Sequence, residues 1–121
     1  MRYEPDQKFL GLPCSMVGTG CAYEYMTGSY FSTASKNRPA GLQKDGYLPL
    51  NMEDKYLRQF LQVKKKKYFK RDERITLAEF LRDYKGPAAI CVYGHFIFAA
   101  DGNYWSFFDN DTDMVVCVWY L

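Results

Sequence analysis

From residue 88 onward the chain alternates short apolar-aromatic runs with polar breaks. AAICVY, HFIFAA, YWSFF and MVVCVWYL are separated by Gly94, by Asp101-Gly102-Asn103 and by the polar stretch Asp109 to Asp113. Runs of this length, rich in aliphatic and aromatic residues and bounded by Gly, Asp and Asn, predict strands at 88–93, 95–100, 104–108 and 114–121. An Asp-Gly or Gly-Asn break between two such runs is a strong short-range hairpin signal. A two-residue turn at either Asp101-Gly102 or Gly102-Asn103 puts His95, Ile97 and Ala99 on the face that carries Tyr104, Ser106 and Phe108, because opposed residues in a hairpin point the same way. Ser106 then neighbours His95. Asp109 points to the other face unless a three-residue loop or a bulge changes the parity.

The first two thirds of the chain read differently. Pro13 cannot be crossed by a helix running back through it, so the next element starts at Cys14. Small residues at Gly18, Cys21 and Ala22, spaced i, i+3, i+4, predict a closely packed helix from Cys14 to Met26 that ends at Gly28. Ser29 to Gly46, rich in Ser, Asn, Gly, Pro and Lys, reads as a long surface connection. Asn51 is placed to cap a helix running through Val63, with Met52, Tyr56, Phe60 and Val63 on one face. A short strand is expected at 67–70. Thr76-Leu77-Ala78-Glu79 is a capping box, with Glu79 reaching back to the Thr76 backbone. The helix it starts should bury Leu77, Phe80, Leu81 and Tyr84 and stop at Gly86-Pro87. Helices first and an antiparallel meander second make an α+β layout: one domain over 1–121, with a helical part at 14–85 and an antiparallel sheet at 87–121.

Composition narrows the function classes. At 121 residues, 48% hydrophobic and 18% aromatic, the chain can bury a sizeable core without staples. A net charge of +2 is low for a nucleic-acid-binding domain. No apolar run nears the ~20 residues of a membrane span, and MRYEPDQKF is too polar for a signal peptide, so a soluble cytoplasmic protein that needs no membrane is expected. The four cysteines, at 14, 21, 91 and 117, form no CxxC pair and accompany one histidine. That pattern points to free thiols, with no zinc site, other metal or cofactor.

The stretch Gly94 to Asn110, GHFIFAADGNYWSFFDN, holds the only histidine. A cysteine on the first turn of a helix has its thiolate stabilised by the helix dipole and by free backbone N–H groups, which describes Cys14. Cys21, Cys91 and Cys117 read as inert core residues. Cys14 and Cys21, at i, i+7, stand about 10 Å apart along a helix, too far for a disulfide. Nucleophilic cysteine catalysis needs a base beside the sulfur and a third group that orients the base. Cys14, His95 and a polar residue on the following strand make that set. On spacing alone, the plainer reading is a buried thiol and a satisfied histidine.

A cysteine opening an N-terminal helix, a Gly46-Tyr47-Leu48-Pro49 loop, a short helix closing in a Lys-Gly turn and the strand pair GHFIFAADGNYWSFFDN together resemble the small papain-like cysteine peptidase-like proteins of bacteria and phages. Their signature is a Gly-His strand, an Asp-Gly turn and a strand ending in Asp-Thr-Trp-Asp. The resemblance covers most of the chain after Pro13 and is specific around Gly94 to Asp109. It implies Cys14 as nucleophile and His95 as general base and acid. The orienting acid or amide falls on Ser106, with Asp109 matching the second acid. Here the chain departs from the pattern, since a serine can hydrogen-bond an imidazole but holds no charge against imidazolium. Asp109, across a bulge, or Asn110, as an amide, are the other options. Gln7 is similar to the oxyanion-hole glutamine of the family, one residue further from the cysteine than expected. The implied activity is hydrolysis of a peptide or isopeptide bond in a peptide or protein substrate.

Two other readings compete. The run VKKKKYFKR at 63–71 pairs cations with Tyr68 and Phe69, as a single-strand nucleic-acid surface would, yet Asp72 and Glu73 dilute it at once. A solvated edge strand guarded by lysines explains it better. The second is an inactive papain-like fold serving as a binding module, for instance a phage protein that engages a host factor in the host cytoplasm. Tyr23, Tyr25, Tyr30 and Phe31 would then form its contact surface.

Overall fold

The computed structural model describes residues 1–43 and 48–121. Gly46 and Tyr47, and with them the end of the surface connection and half of the Gly-Tyr-Leu-Pro loop, lie outside the described residues. Among those residues, three α-helices and six strands make a mixed α+β domain. In chain order they are β1 (Arg2–Tyr3), α1 (Cys14–Thr27), α2 (Leu50–Phe60), β2 (Lys65–Tyr68), α3 (Leu77–Asp83), β3 (Ala88–Val92), β4 (His95–Ala100), β5 (Asn103–Trp105) and β6 (Val115–Tyr120). No helix of the described residues is long and apolar enough to cross a membrane.

α1 starts where Pro13 forces it to. The Pro13 carbonyl accepts from the N–H of Met16 at 2.9 Å and of Val17 at 3.1 Å. It ends at Gly28, whose φ of 71° only glycine adopts without strain and whose N–H donates to the Glu24 carbonyl. α2 begins one residue before Asn51, after Pro49, with no side-chain cap, and stops at Phe60 rather than Val63. The pre-set φ of Pro49 supplies the start that Asn51 was expected to make. Thr76 caps α3 by accepting from the Glu79 N–H at 3.2 Å. The Glu79 carboxylate takes the Thr76 hydroxyl instead of its backbone N–H.

The sheet order is β1-β5-β4-β3-β6-β2, antiparallel throughout except where β1 runs parallel to β5. It is therefore not a simple meander confined to 87–121. β6 pairs with β3 rather than with β5, β2 lies outside β6, and the N-terminal dipeptide Arg2-Tyr3 adds an edge that its polar sequence did not reveal. The Asp101-Gly102 turn, with φ of 56° and 80°, pairs Ala100 with Asn103 and Phe98 with Trp105, so the expected side-chain parity holds. β5 nevertheless ends at Trp105, three residues early. The Ser106 hydroxyl accepts the Phe108 N–H at 3.1 Å, and that local turn takes the chain off the ladder.

The helices cover both faces of the sheet. Phe96, Phe98, Ala100 and Trp119 pack with Ala22 of α1 and Leu57 of α2. On the other face Ile90, Ile97, Ala99 and Val118 pack with Leu77, Phe80 and Leu81 of α3. β2 spans 65–68 rather than 67–70 and is exposed along its length at the sheet edge. Its lysines lie over rings of the chain itself, with Lys66 also 3.7 Å from Asp54, and Phe69 is buried.

α1 lies close against β4. A Cβ built on Gly18 would sit 2.8 Å from the Phe96 carbonyl oxygen and 2.5 Å from its ring. Since backbone cannot swing aside, Gly18→Ala should destabilise the fold by about 1–3 kcal/mol. Thermal unfolding should then show a Tm lower by roughly 3–15 °C; an unchanged Tm would mean that the helix does not approach β4 this closely.

Candidate functional site

Because β5 stops at Trp105, the first half of β4 has an open edge. Phe96 lies beyond the last ladder pair, Phe98 with Trp105. A cavity of about 50 Å³ occupies this edge, and Cys14, His95 and Ser106 all line it, with Leu12, Val17 and Phe108 among its apolar walls. The three residues singled out from the sequence thus meet at one place. Cys14 reaches it from the α1 face, where it packs with the Phe96 and Phe98 cluster. His95 shares the parity of Ile97 and Ala99, which face α3.

Cys14 is the first residue of α1 and is half-buried. Burial pushes its thiol above the ordinary value, and the negative charge of Glu53 adds to the rise. Backbone N–H groups of Phe96, Ser15 and Cys14 itself act the other way without overcoming it. The helix start does supply the expected donors, but the apolar setting outweighs them, so the resting sulfur is a protonated thiol. Burial likewise raises Cys21 and Cys91 to about 12 and Cys117 to about 11, which makes all three poor nucleophiles. All four cysteines are free.

The His95 ring stacks on Phe108, with centroids 4.8 Å apart and planes at 31°. Among the described residues, no hydrogen bond or ion pair joins it to Cys14, Ser106, Asp109 or Asn110. Ser106 is fully engaged as a donor, giving its hydroxyl proton to Asn110 Oδ1 at 2.6 Å. Asn110 is buried and does not orient His95. It holds Ser106, donates through Nδ2 to Asp113 at 2.7 Å and through its N–H to the Tyr104 hydroxyl at 3.0 Å. Asp109 is a correction to the expected set. Its Oδ1 accepts from the Asp111 N–H at 3.0 Å and from the Tyr104 hydroxyl at 3.4 Å, and it is not among the residues lining the cavity, because the chain turns at Ser106 instead of bulging.

Gln7 is a second correction. It is an exposed residue at the start of a 3-10 turn, Gln7–Phe9, and is not among the residues lining the cavity. The 3-10 turn and the Gly11 bend take up the spacing that would have carried it there. Of the four aromatics expected on a contact surface, Phe31 is buried against Phe9 and Tyr23 is half-buried, while Tyr25 and Tyr30 are exposed.

One residue at the site was missed. Glu53 of α2 is 3% exposed, and its Oε2 has no hydrogen-bond partner among the described residues. Leu50 and Leu57, three residues before it and four after, pack in the cluster that holds Cys14 and Cys91. An acid inside an i, i+3, i+7 apolar stripe was the available signal, hidden by the stronger stripe of Met52, Tyr56 and Phe60. Ser15 Oγ and Thr19 Oγ1, a turn apart on α1, are also buried with no partner among the described residues.

Burial raises the Glu53 carboxyl from 4.5 to about 8. The native state therefore keeps a proton that the unfolded chain has released, and stability falls as pH rises between those values. Glu53→Gln should flatten this slope. The variant should match the wild type near pH 4.5 and exceed it above pH 8 by on the order of a few kcal/mol. Urea unfolding across pH 4.5–9 measures it; parallel profiles for the two proteins would show that Glu53 ionises normally.

Comparison of the chain with protein-family models, with curated proteins and with solved structures found no match to any of them.

Proposed function

We propose that the cavity at the open edge of β4 is a centre of thiol-dependent acyl transfer, hydrolysing a peptide or isopeptide bond on a papain-like α+β core. The observation that carries the reading is that the helix-start cysteine and the chain's only histidine, distant in sequence, line one cavity. In this mechanism the imidazole turns off the Phe108 ring and takes the Cys14 thiol proton. The sulfur then attacks the substrate carbonyl carbon, and the oxyanion is held by backbone N–H groups at the start of α1. Collapse breaks the C–N bond as His95 returns the proton to the leaving amine. Water, deprotonated by His95, attacks the thioester and releases the acid and the thiol.

A second reading is favoured by the Ser106 to Asn110 hydrogen bond. It leaves His95 without a charged orienting group, as in a catalytically inactive core that serves as a protein-binding module. Iodoacetamide alkylation at Cys14, followed by peptide mass mapping from pH 5 to 10, separates the two. Acyl transfer predicts that His95→Ala slows alkylation at pH 7 by roughly tenfold or more, because the base that takes the thiol proton once the imidazole turns toward Cys14 is lost. An ordinary thiol profile that His95→Ala does not change would remove the enzyme reading and leave the binding module.

A further inference from the structure

A second cavity, of about 340 Å³, opens between the N-terminal segment and α1, and Trp105 lines both it and the Cys14 cavity. Its walls are aromatic and its polar groups are acidic: Phe9, Tyr25 and Trp105 with Glu4, Asp6 and Glu24. The rings are held in place. Trp105 stacks on Phe98 at 5.3 Å and meets Tyr25 at 5.7 Å and Tyr3 at 5.4 Å, while the Tyr25 hydroxyl donates to Asp101 at 2.9 Å. A ring face carries negative quadrupole potential, so rings and carboxylates around one space select a cation and exclude an anion.

Two of the lining residues, Glu24 and Phe9, already hold a cation of the chain itself. The Lys8 ammonium pairs with Glu24 Oε2 and lies 3.5 Å from the Tyr30 ring centroid and 5.1 Å from that of Phe9. Glu24 uses Oε2 for both of its bonds, to Lys8 and to the Phe31 N–H, and its Oε1 has no partner among the described residues. With Lys8 neutralising Glu24, Glu4 and Asp6 leave the rim negative in a chain whose net charge is +2.

We infer that this cavity binds a lysine or arginine side chain of the polypeptide substrate. The inference rests on the acyl-transfer reading for the word substrate and on the cavity itself for the cation. Cys21, another of its lining residues, is two turns along α1 from Cys14, about 10 Å. An extended chain advances about 3.3 Å per residue, which places the basic residue within about three positions of the bond that Cys14 attacks.

The test uses the full chain carrying Cys14→Ala, so that binding is read without turnover. Fluorescence polarisation compares a labelled hexapeptide containing one arginine with its norleucine counterpart. The arginine peptide should bind at least tenfold more tightly, with the preference falling severalfold in Glu4→Gln and disappearing in Glu4→Gln combined with Trp105→Leu. Glu4 is exposed, so Glu4→Gln keeps the test decisive if Trp105→Leu unfolds the sheet edge. Equal affinity for the two peptides, or a preference that survives Glu4→Gln undiminished, would overturn the inference. Arginine amide that binds as tightly as the arginine peptide would overturn the polypeptide source. A preference for arginine together with an unreactive Cys14 in the wild type would remove the enzyme and keep the cation pocket.

Discussion

The approach of α1 to β4 through Gly18 is the contact on which the rest of the site depends. A side chain at that position would meet the Phe96 carbonyl, and the helix would have to lift. Lifted, Cys14 would lose the Phe96 backbone N–H, and the small cavity between the helix start and the strand edge would open to water. The same contact positions the far end of α1, where Cys21 and Tyr25 face Trp105 across the second cavity. A glycine that costs helix stability in isolation is here what lets two cavities share one helix and one tryptophan.

The second constraint is the turn at Ser106. A sixth-strand return beside β3 rather than β5 requires the chain to leave β5 early and cross the end of the β3-β4 hairpin. Ser106 starts that departure by capturing the Phe108 N–H, and Asn110 fixes it by holding Ser106 and Asp113 together. Leaving β5 short strips the edge of β4 of its partner at Phe96, and the unpaired edge is what Cys14 approaches. The residue at the position where an orienting acid was expected therefore does a structural job that creates the cavity. The carboxylate of Asp109 serves the same turn.

Much of this was legible in the sequence, and the exceptions share a cause. Local signals carried the elements they control: Pro13 and Gly28 bound α1, Thr76 caps α3, and Asp101-Gly102 makes the β4-β5 hairpin with the expected parity. The meeting of Cys14, His95 and Ser106 at one cavity needs more than those elements: it needs α1 packed on β4 through Gly18. What was not legible depends on long-range pairing. Nothing local to Arg2-Tyr3 shows that it will run beside β5, and nothing in MVVCVWY says that it will choose β3 over β5. Gln7 and Asp109 were placed by spacing alone, and one 3-10 turn and one serine-centred turn were enough to move them away. Glu53 was hidden because an amphipathic stripe reads the face that carries most apolar residues, whereas Glu53 lies on the helix's second buried face.

The electrostatics around Cys14 bear on which partner could activate it. Glu53, with its carboxyl raised to about 8, is mostly protonated and uncharged at neutral pH, where the thiolate is opposed chiefly by burial. Above that value it gains a negative charge in the same apolar cluster, and this charge raises the thiol further. Below its titration Glu53 is neutral and holds no negative charge to act on the sulfur; above it, its charge opposes the thiolate, so on neither side does it stabilise one. The three backbone N–H groups at the sulfur act in the other direction, but they are fixed dipoles and can accept no proton. A thiolate at Cys14 therefore needs a partner that gains positive charge as the sulfur loses its own proton. Of the side chains that line the cavity, only the His95 imidazole does both.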